Sequence, residues 1–149
     1  MVGRKRHIVV DTNGLLIDVL VTPASVQDRA GGMELFDSTV KKTPTLTHLW
    51  ADSAYEGSFV RHVRRTERSV LVVRRSVERL HGQWREAQLP LMRVRPRLEL
   101  VRRRWVVERT FGWLSRSRRF SRDYEQLPRV TMGCLWAAAV RLLVRRLGA

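Results

Sequence analysis

Two runs of aliphatic and β-branched residues, 6–10 and 15–21, flank the sequence Asp11-Thr12-Asn13-Gly14. Asn-Gly between two such runs is the strongest short signal for a β-hairpin, because both residues accept the positive φ that a tight turn needs. The chain therefore opens with two antiparallel strands, and Pro23 ends the second. Ser25-Val26-Gln27-Asp28 then has the pattern of a helix start, with Ser25 as N-cap, and the helix extends to about Lys41, weakened by Gly31-Gly32. Residues 46–51 form a short buried strand that delivers Asp52 at its end. A helix over 55–65 places Phe59 and Val63 on one face, and Ser69–Val73 is a further strand. Residues 74–97, broken by Pro90 and Pro96, are expected to be a loop with one short helix, and a long helix follows over 98–120. Residues 123–128 form a turn. A C-terminal amphipathic helix then carries Met132, Leu135, Trp136, Ala139, Val140, Leu143, Val144 and Leu147 on one stripe. A hairpin followed by alternating helices and strands is an α/β arrangement, a mixed sheet with helices packed on it. At 149 residues there is room for one domain.

Charge narrows the partner. The formal net charge is +15, and it is uneven: residues 1–60 hold 6 Lys/Arg and 7 Asp/Glu, whereas residues 61–149 hold 23 Arg and 7 Asp/Glu. So basic a second half attracts a polyanion, because neutralised phosphates release condensed counterions. No apolar run reaches the ~20 residues of a membrane span, and the N-terminus lacks an apolar signal region, so a cytoplasmic location is expected. Cys134 is the single cysteine and reads as a buried, inert thiol. The four histidines show no zinc-ligand spacing.

Two carboxylates are candidates for chemistry. Asp52 ends a buried strand, where catalytic groups of open α/β sheets gather, but it equally suits the cap of the helix that follows. Glu108 lies in Arg102-Arg103-Arg104-Trp105-Val106-Val107-Glu108-Arg109-Thr110-Phe111-Gly112-Trp113-Leu114. At 100° per residue, Val106, Val107, Phe111, Trp113 and Leu114 cover one broad side of this helix. Glu108 falls opposite, between Arg104 and Gly112, with Arg116 and Arg119 further along. Glu108 is then either a metal ligand facing a phosphate backbone or half of a surface pair with Arg104, worth ~0.3–0.5 kcal/mol. Together the two suit Mg²⁺, which prefers carboxylate oxygen. Two ions would need a third carboxylate.

Four blocks occur in order: Gly3-Arg4-Lys5-Arg6-His7-Ile8-Val9-Val10-Asp11-Thr12, Trp50-Ala51-Asp52-Ser53-Ala54-Tyr55, Arg103-Arg104-Trp105-Val106-Val107-Glu108-Arg109-Thr110-Phe111-Gly112-Trp113-Leu114, and Arg122-Asp123-Tyr124-Glu125. On these blocks the chain, from about residue 3 to residue 147, resembles insertion-sequence transposases of the DDE class, in the insertion-sequence-five group. The resemblance implies an RNase H-like fold and an Asp-Asp-Glu triad binding two Mg²⁺ (or Mn²⁺) ions. Asp52 corresponds to the family's second Asp and Glu108 to its Glu. It implies that Arg104 and Arg109 position DNA, and Arg116, Arg118 and Arg119 complete the expected nucleic-acid-binding set.

The same resemblance places the family's first Asp on a strand just upstream of the Gly-Arg-Lys-Arg-His segment, so that Asp and its strand are expected to be absent from these residues. Asp11 matches a different family position, at the hairpin turn. In an RNase H-like sheet the missing strand is central, so the first and third strands here would either face each other across a gap or pair directly. The expected function is metal-dependent cleavage and strand transfer at insertion-sequence ends, by a chain that is the downstream frame or a remnant of a bacterial transposase and is inactive alone. Its expected partners are double-stranded DNA, an upstream transposase polypeptide and further copies of itself. The alternative is a non-catalytic basic DNA-binding protein.

Overall fold

A computed structural model of the protein describes residues 3–73, 104–117, 120 and 123–148. The loop and short helix expected over 74–97, the first residues of the long helix, the side chain of Arg104, and Arg118, Arg119 and Arg122 lie outside the described residues.

The hairpin forms, although Asn13 does not take the positive φ of a two-residue Asn-Gly turn. Strand β1 (Arg4–Val10) pairs antiparallel with β2 (Leu16–Pro23), with an irregularity in register at Val9/Val10. Asp11 N–H donates to the Leu15 carbonyl (2.9 Å) and Gly14 N–H to the Asp11 carbonyl (3.0 Å), while Asp11 Oδ1 accepts from the N–H groups of Asn13 and Leu15 (2.8 and 2.7 Å). Gly14 takes φ +82°, the left-handed residue that closes a three-residue hairpin loop.

Helix α1 (Asp28–Lys42) starts later than Ser25 predicts. Val26 N–H is drawn into a turn onto the Pro23 carbonyl, so Gln27 becomes the N-cap and makes no side-chain cap bond. The Gly31-Gly32 pair, a weak point for a helix, has a packing reason. A Cβ at Gly31 would stand 2.6 Å from His7 Nε2, and one at Gly32 2.6 Å from the Tyr55 ring. The helix admits two aromatic rings against its backbone there.

Strand β3 (His48–Asp52) pairs parallel with β4 (Ser69–Val73). Between them the expected continuous helix over 55–65 is split. A 3-10 turn (Ser53–Tyr55) comes first, then Gly57 at φ +96° breaks the chain direction, then α2 (Ser58–Arg64) buries Phe59 and Val63. Helix α3 (Arg104–Ser115) ends earlier than position 120: Ser117 N–H donates to the Leu114 carbonyl, and Phe120 turns into the core. Helix α4 (Pro128–Leu147) closes the fold with Pro128 at its first turn, where a missing N–H costs nothing.

The architecture is mixed α/β, with two separate two-stranded sheets, β1-β2 and β3-β4, among the described residues. Two core clusters match them: Val19, Val21, Leu114, Phe120 and Leu135 under the hairpin, and Phe36, Leu49, Phe59 and Val63 between α1, β3 and α2. Helix α1 touches both, packing on β1 and β2 as well as on α2. Strands β1 and β3 do not pair. A slot of about 440 Å³ lies between them, lined by Ile8, Val9 and Val10 on one side, by Leu49 and Trp50 on the other, and by Val106. The C-terminal stripe outruns the core: Leu135 is buried, but Val140, Val144 and Leu147 are 56%, 61% and 79% exposed. Cys134 is half-buried.

Candidate functional site

Asp52 sits at the carboxyl end of β3, the edge where open α/β sheets place their ligands. Its Oδ1 accepts from Ser53 N–H (2.7 Å) and Ser53 Oγ (3.2 Å), capping the 3-10 turn. Capping and site placement coincide: the side chain is exposed and lines a cavity of about 270 Å³.

Glu108 lines the same cavity from α3. The helix is seated on the hairpin turn. Thr110, buried, donates its hydroxyl to the Gly14 carbonyl (2.8 Å), and an Arg109 terminal nitrogen donates to the Asn13 carbonyl (2.8 Å). Val106, Thr110 and Leu114, four residues apart, form the buried face. The helical wheel needs one correction. Val107 and Phe111 also line the cavity, because i−1 and i+3 stand only about 100° and 60° from Glu108 and flank it rather than oppose it. Gly112 has open space where its Cβ would be, so no described strand approaches it.

The rest of the cavity wall is mostly apolar, including Phe36, Leu49, Phe59 and Val73, with Arg6 at its edge. Among the described residues no three His, Cys, Asp or Glu side chains converge to hold a metal. Asp11, bound to its own turn, lines the β1/β3 slot and not this cavity.

Behind Asp52 is a cluster that the sequence does not announce. His7, 3% exposed, is 2.8 Å from the Tyr55 hydroxyl through Nδ1 and 3.1 Å from Thr22 Oγ1 through Nε2. It joins β1, β2 and the turn that follows Asp52. The signal was indirect: a Gly-Gly pair inside a helix marks something large packed against it.

Burial holds the His7 pKa below its ordinary 6.5, against the opposing pull of Asp28. The Tyr55 phenol is pushed up to about 12, first by burial and then by Asp28 and Asp52. Both groups are folded in their neutral forms, with opposite consequences. Below about pH 6.5 the unfolded chain takes up a proton that buried His7 resists, so stability is complete above that pH and falls as the pH drops toward 5. For Tyr55 it is complete below about pH 10 and is lost as the pH rises through 12. Thermal melts should therefore show a lower midpoint at about pH 5 than at pH 7, and a His7→Gln variant should flatten that difference. An unchanged acid slope in the variant would assign it to other groups.

The arginines divide. In β1, Arg4 bonds the carbonyls of Glu125 and Gln126 and lies 3.3 Å from Asp123; Lys5 pairs with Asp28 (3.0 Å); Arg6 donates to the Phe120 carbonyl (3.1 Å). These cations tie the hairpin to three other segments. Arg109 lies between the rings of Trp105 and Trp113, 4.2 and 4.7 Å from their centroids, and Arg146 stacks over Trp113 at 4.3 Å. That gives Arg109 a packing role that its position beside Glu108 does not disclose. Arg116 is exposed just past the end of α3. No helix among the described residues is long and apolar enough to cross a membrane.

A family model described as the transposase DDE domain matches residues 2–143. No curated protein and no solved structure matches the chain.

Proposed function

This chain belongs to the transposase DDE domain family, and from that premise we propose that Asp52 and Glu108 are two carboxylate ligands of a divalent-metal site for cleaving and joining DNA at insertion-sequence ends. One observation carries the reading: two acidic residues distant in sequence, one at a strand end and one on a helix pinned to the hairpin turn, line a single cavity. Their donor set fits Mg²⁺ or Mn²⁺, which prefer hard oxygen ligands, though two carboxylates are too few to hold a pair of ions. Such ions, when bound, activate a water or 3′-hydroxyl and stabilise the leaving oxygen. The protein's contribution is placement: β3 presents Asp52, and the Thr110–Gly14 contact fixes α3. Arg104, Arg109, Arg116, Arg118 and Arg119 are assigned to the DNA backbone, within an RNase H-like domain of the insertion-sequence-five group.

The third carboxylate is assigned to an added strand from an upstream polypeptide. The basis is the slot between β1 and β3, each of which pairs on one side only among the described residues, leaving backbone groups that an extended segment would satisfy. The chain acts in this reading as a multimer that pairs two DNA ends. The test is nicking of element-end DNA with Mn²⁺. The chain joined to its upstream-encoded sequence should cleave, and the 149-residue protein alone should not. Robust strand transfer by the 149-residue protein would contradict the added-strand requirement. A second reading, a non-catalytic DNA-binding protein, is favoured by the basic half alone, and failure of the joined protein to cleave would select it.

A further inference from the structure

A second cavity, of about 150 Å³, lies between the end of α3 and the last turns of α4. Three arginines line it: Arg116 just beyond α3, and Arg141 and Arg145 one turn apart on α4. Trp113, Ser117 and three apolar side chains complete the described wall, and no carboxylate is among the described lining residues. All three arginines are exposed, and among the described residues none forms an ion pair.

Ordinary structural roles explain only part of this. Arg145 lies in the last turn of α4, where a cation is favoured by about 0.3–1 kcal/mol. Arg141 lies a turn earlier, and the carboxyl end of α3 offers only about half a negative charge against three full positive ones. Residues four apart on a helix have Cβ atoms about 5–6 Å apart, so Arg141 and Arg145 repel each other as well as Arg116. An anion between them relieves that repulsion, and guanidinium forks suit phosphate in particular.

We propose that this cleft grips the phosphate backbone of duplex DNA, as an anchoring site separate from the carboxylate cavity. It rests on the reading that the substrate is DNA. Eight residues along a helix separate Glu108 from Arg116, about 12 Å, or roughly three to four base-pair steps at 3.4 Å. The cleft therefore holds phosphates flanking the bond presented to Asp52 and Glu108. Arg141 and Arg145 are the residues newly assigned to this contact.

The test is binding of the full chain to a random-sequence duplex, followed by fluorescence anisotropy across salt concentrations. Replacing Arg116, Arg141 and Arg145 together by Gln should lower affinity roughly a hundredfold near 0.1 M salt and reduce the log–log salt slope by about 2–3, at ~0.9 per phosphate contact. The control removes the same charge elsewhere: Arg61→Gln, Arg64→Gln and Arg65→Gln, exposed at or near α2, should cost much less. Single Arg141→Gln and Arg145→Gln variants, each expected to lower the slope by about 0.9, serve as the reading variants if the Gln triple fails to fold, and an unchanged slope in both would overturn the cleft. Equal losses in cleft and control variants would mean bulk charge and overturn the proposal. Wild-type binding with no loss in the cleft variants would overturn the cleft while leaving the DNA reading intact. Absence of wild-type binding would overturn both.

Discussion

Asp52→Asn and Glu108→Gln are each expected to reduce metal-dependent strand cleavage by the chain joined to its upstream sequence by on the order of 10³-fold. Metal stabilisation of the transition state is worth several kcal/mol, and each ~1.4 kcal/mol is a factor of ten. The amides are chosen because they separate chemistry from folding. Asp52 caps the turn at Ser53–Tyr55, and Asn caps about as well as Asp, so Asn removes the charge while leaving the cap. Alanine would lose both, adding about 1 kcal/mol of destabilisation that has nothing to do with metal. Glu and Gln have nearly equal helix propensity, so α3 should persist in the Glu108 variant. Duplex binding should be little changed in either. An amide variant that cleaves within tenfold of the parent would remove that residue from the metal site.

The second large effect is on stability and lies in the hairpin. Asp18 on β2 is 1% exposed, yet it is a carboxylate. It accepts from Val19 N–H (2.8 Å), Ser38 Oγ (2.8 Å), Thr39 Oγ1 (3.4 Å) and Lys42 Nζ (2.7 Å). These donors pin β2 to α1, the helix that joins the two cores. Lys42 is 53% exposed, so water screens its attraction and the neutral donors carry much of the burden. Asp18→Ala leaves the buried Val19 N–H and the Ser38 hydroxyl without their acceptor and Lys42 without its counter-charge, while Thr39 keeps its bond to the Leu35 carbonyl (2.7 Å), and should cost about 3 kcal/mol, the low end for breaking a buried pair. Lys42→Met should cost less, about 1–2 kcal/mol, because the remaining donors still hold the carboxylate and the stem can still pack by Trp136. Urea unfolding of the two variants measures the order. Lys42→Met proving the more damaging would show that the ion pair, not the hydroxyl cradle, holds Asp18.

Local chemistry was legible in the sequence where one short segment decides the outcome. Asp11-Thr12-Asn13-Gly14 forms the hairpin loop, Phe59 and Val63 bury together, and residues 69–73 form a strand. Boundaries failed where a competing turn or the reach of the core decided them. Ser25 has the chemistry of an N-cap, but the turn onto the Pro23 carbonyl moves the helix start to Asp28. The apolar stripe of α4 is real as a period, yet periodicity does not reveal that the core ends near Leu135. That Asp52 and Glu108 line one cavity is a tertiary fact. Each residue had an ordinary alternative, and only the ordered motif blocks joined them before the shared cavity did. His7 and Tyr55 were invisible because their partners lie far away in sequence, whereas the stack of Arg109 on Trp105 and Trp113 lies at helical i−4 and i+4 spacing and was open to the sequence.

The central claim is that Asp52 and Glu108 share a bound cation, and substoichiometric Mn²⁺ tests it through paramagnetic broadening of backbone amide signals. The account predicts that amides at Asp52–Ser53 and at Glu108–Arg109 broaden together and first, and that Asp52→Asn abolishes the effect at both places. Broadening at only one of the two segments, or first at other acids such as Glu34 and Asp37 on α1, would contradict it.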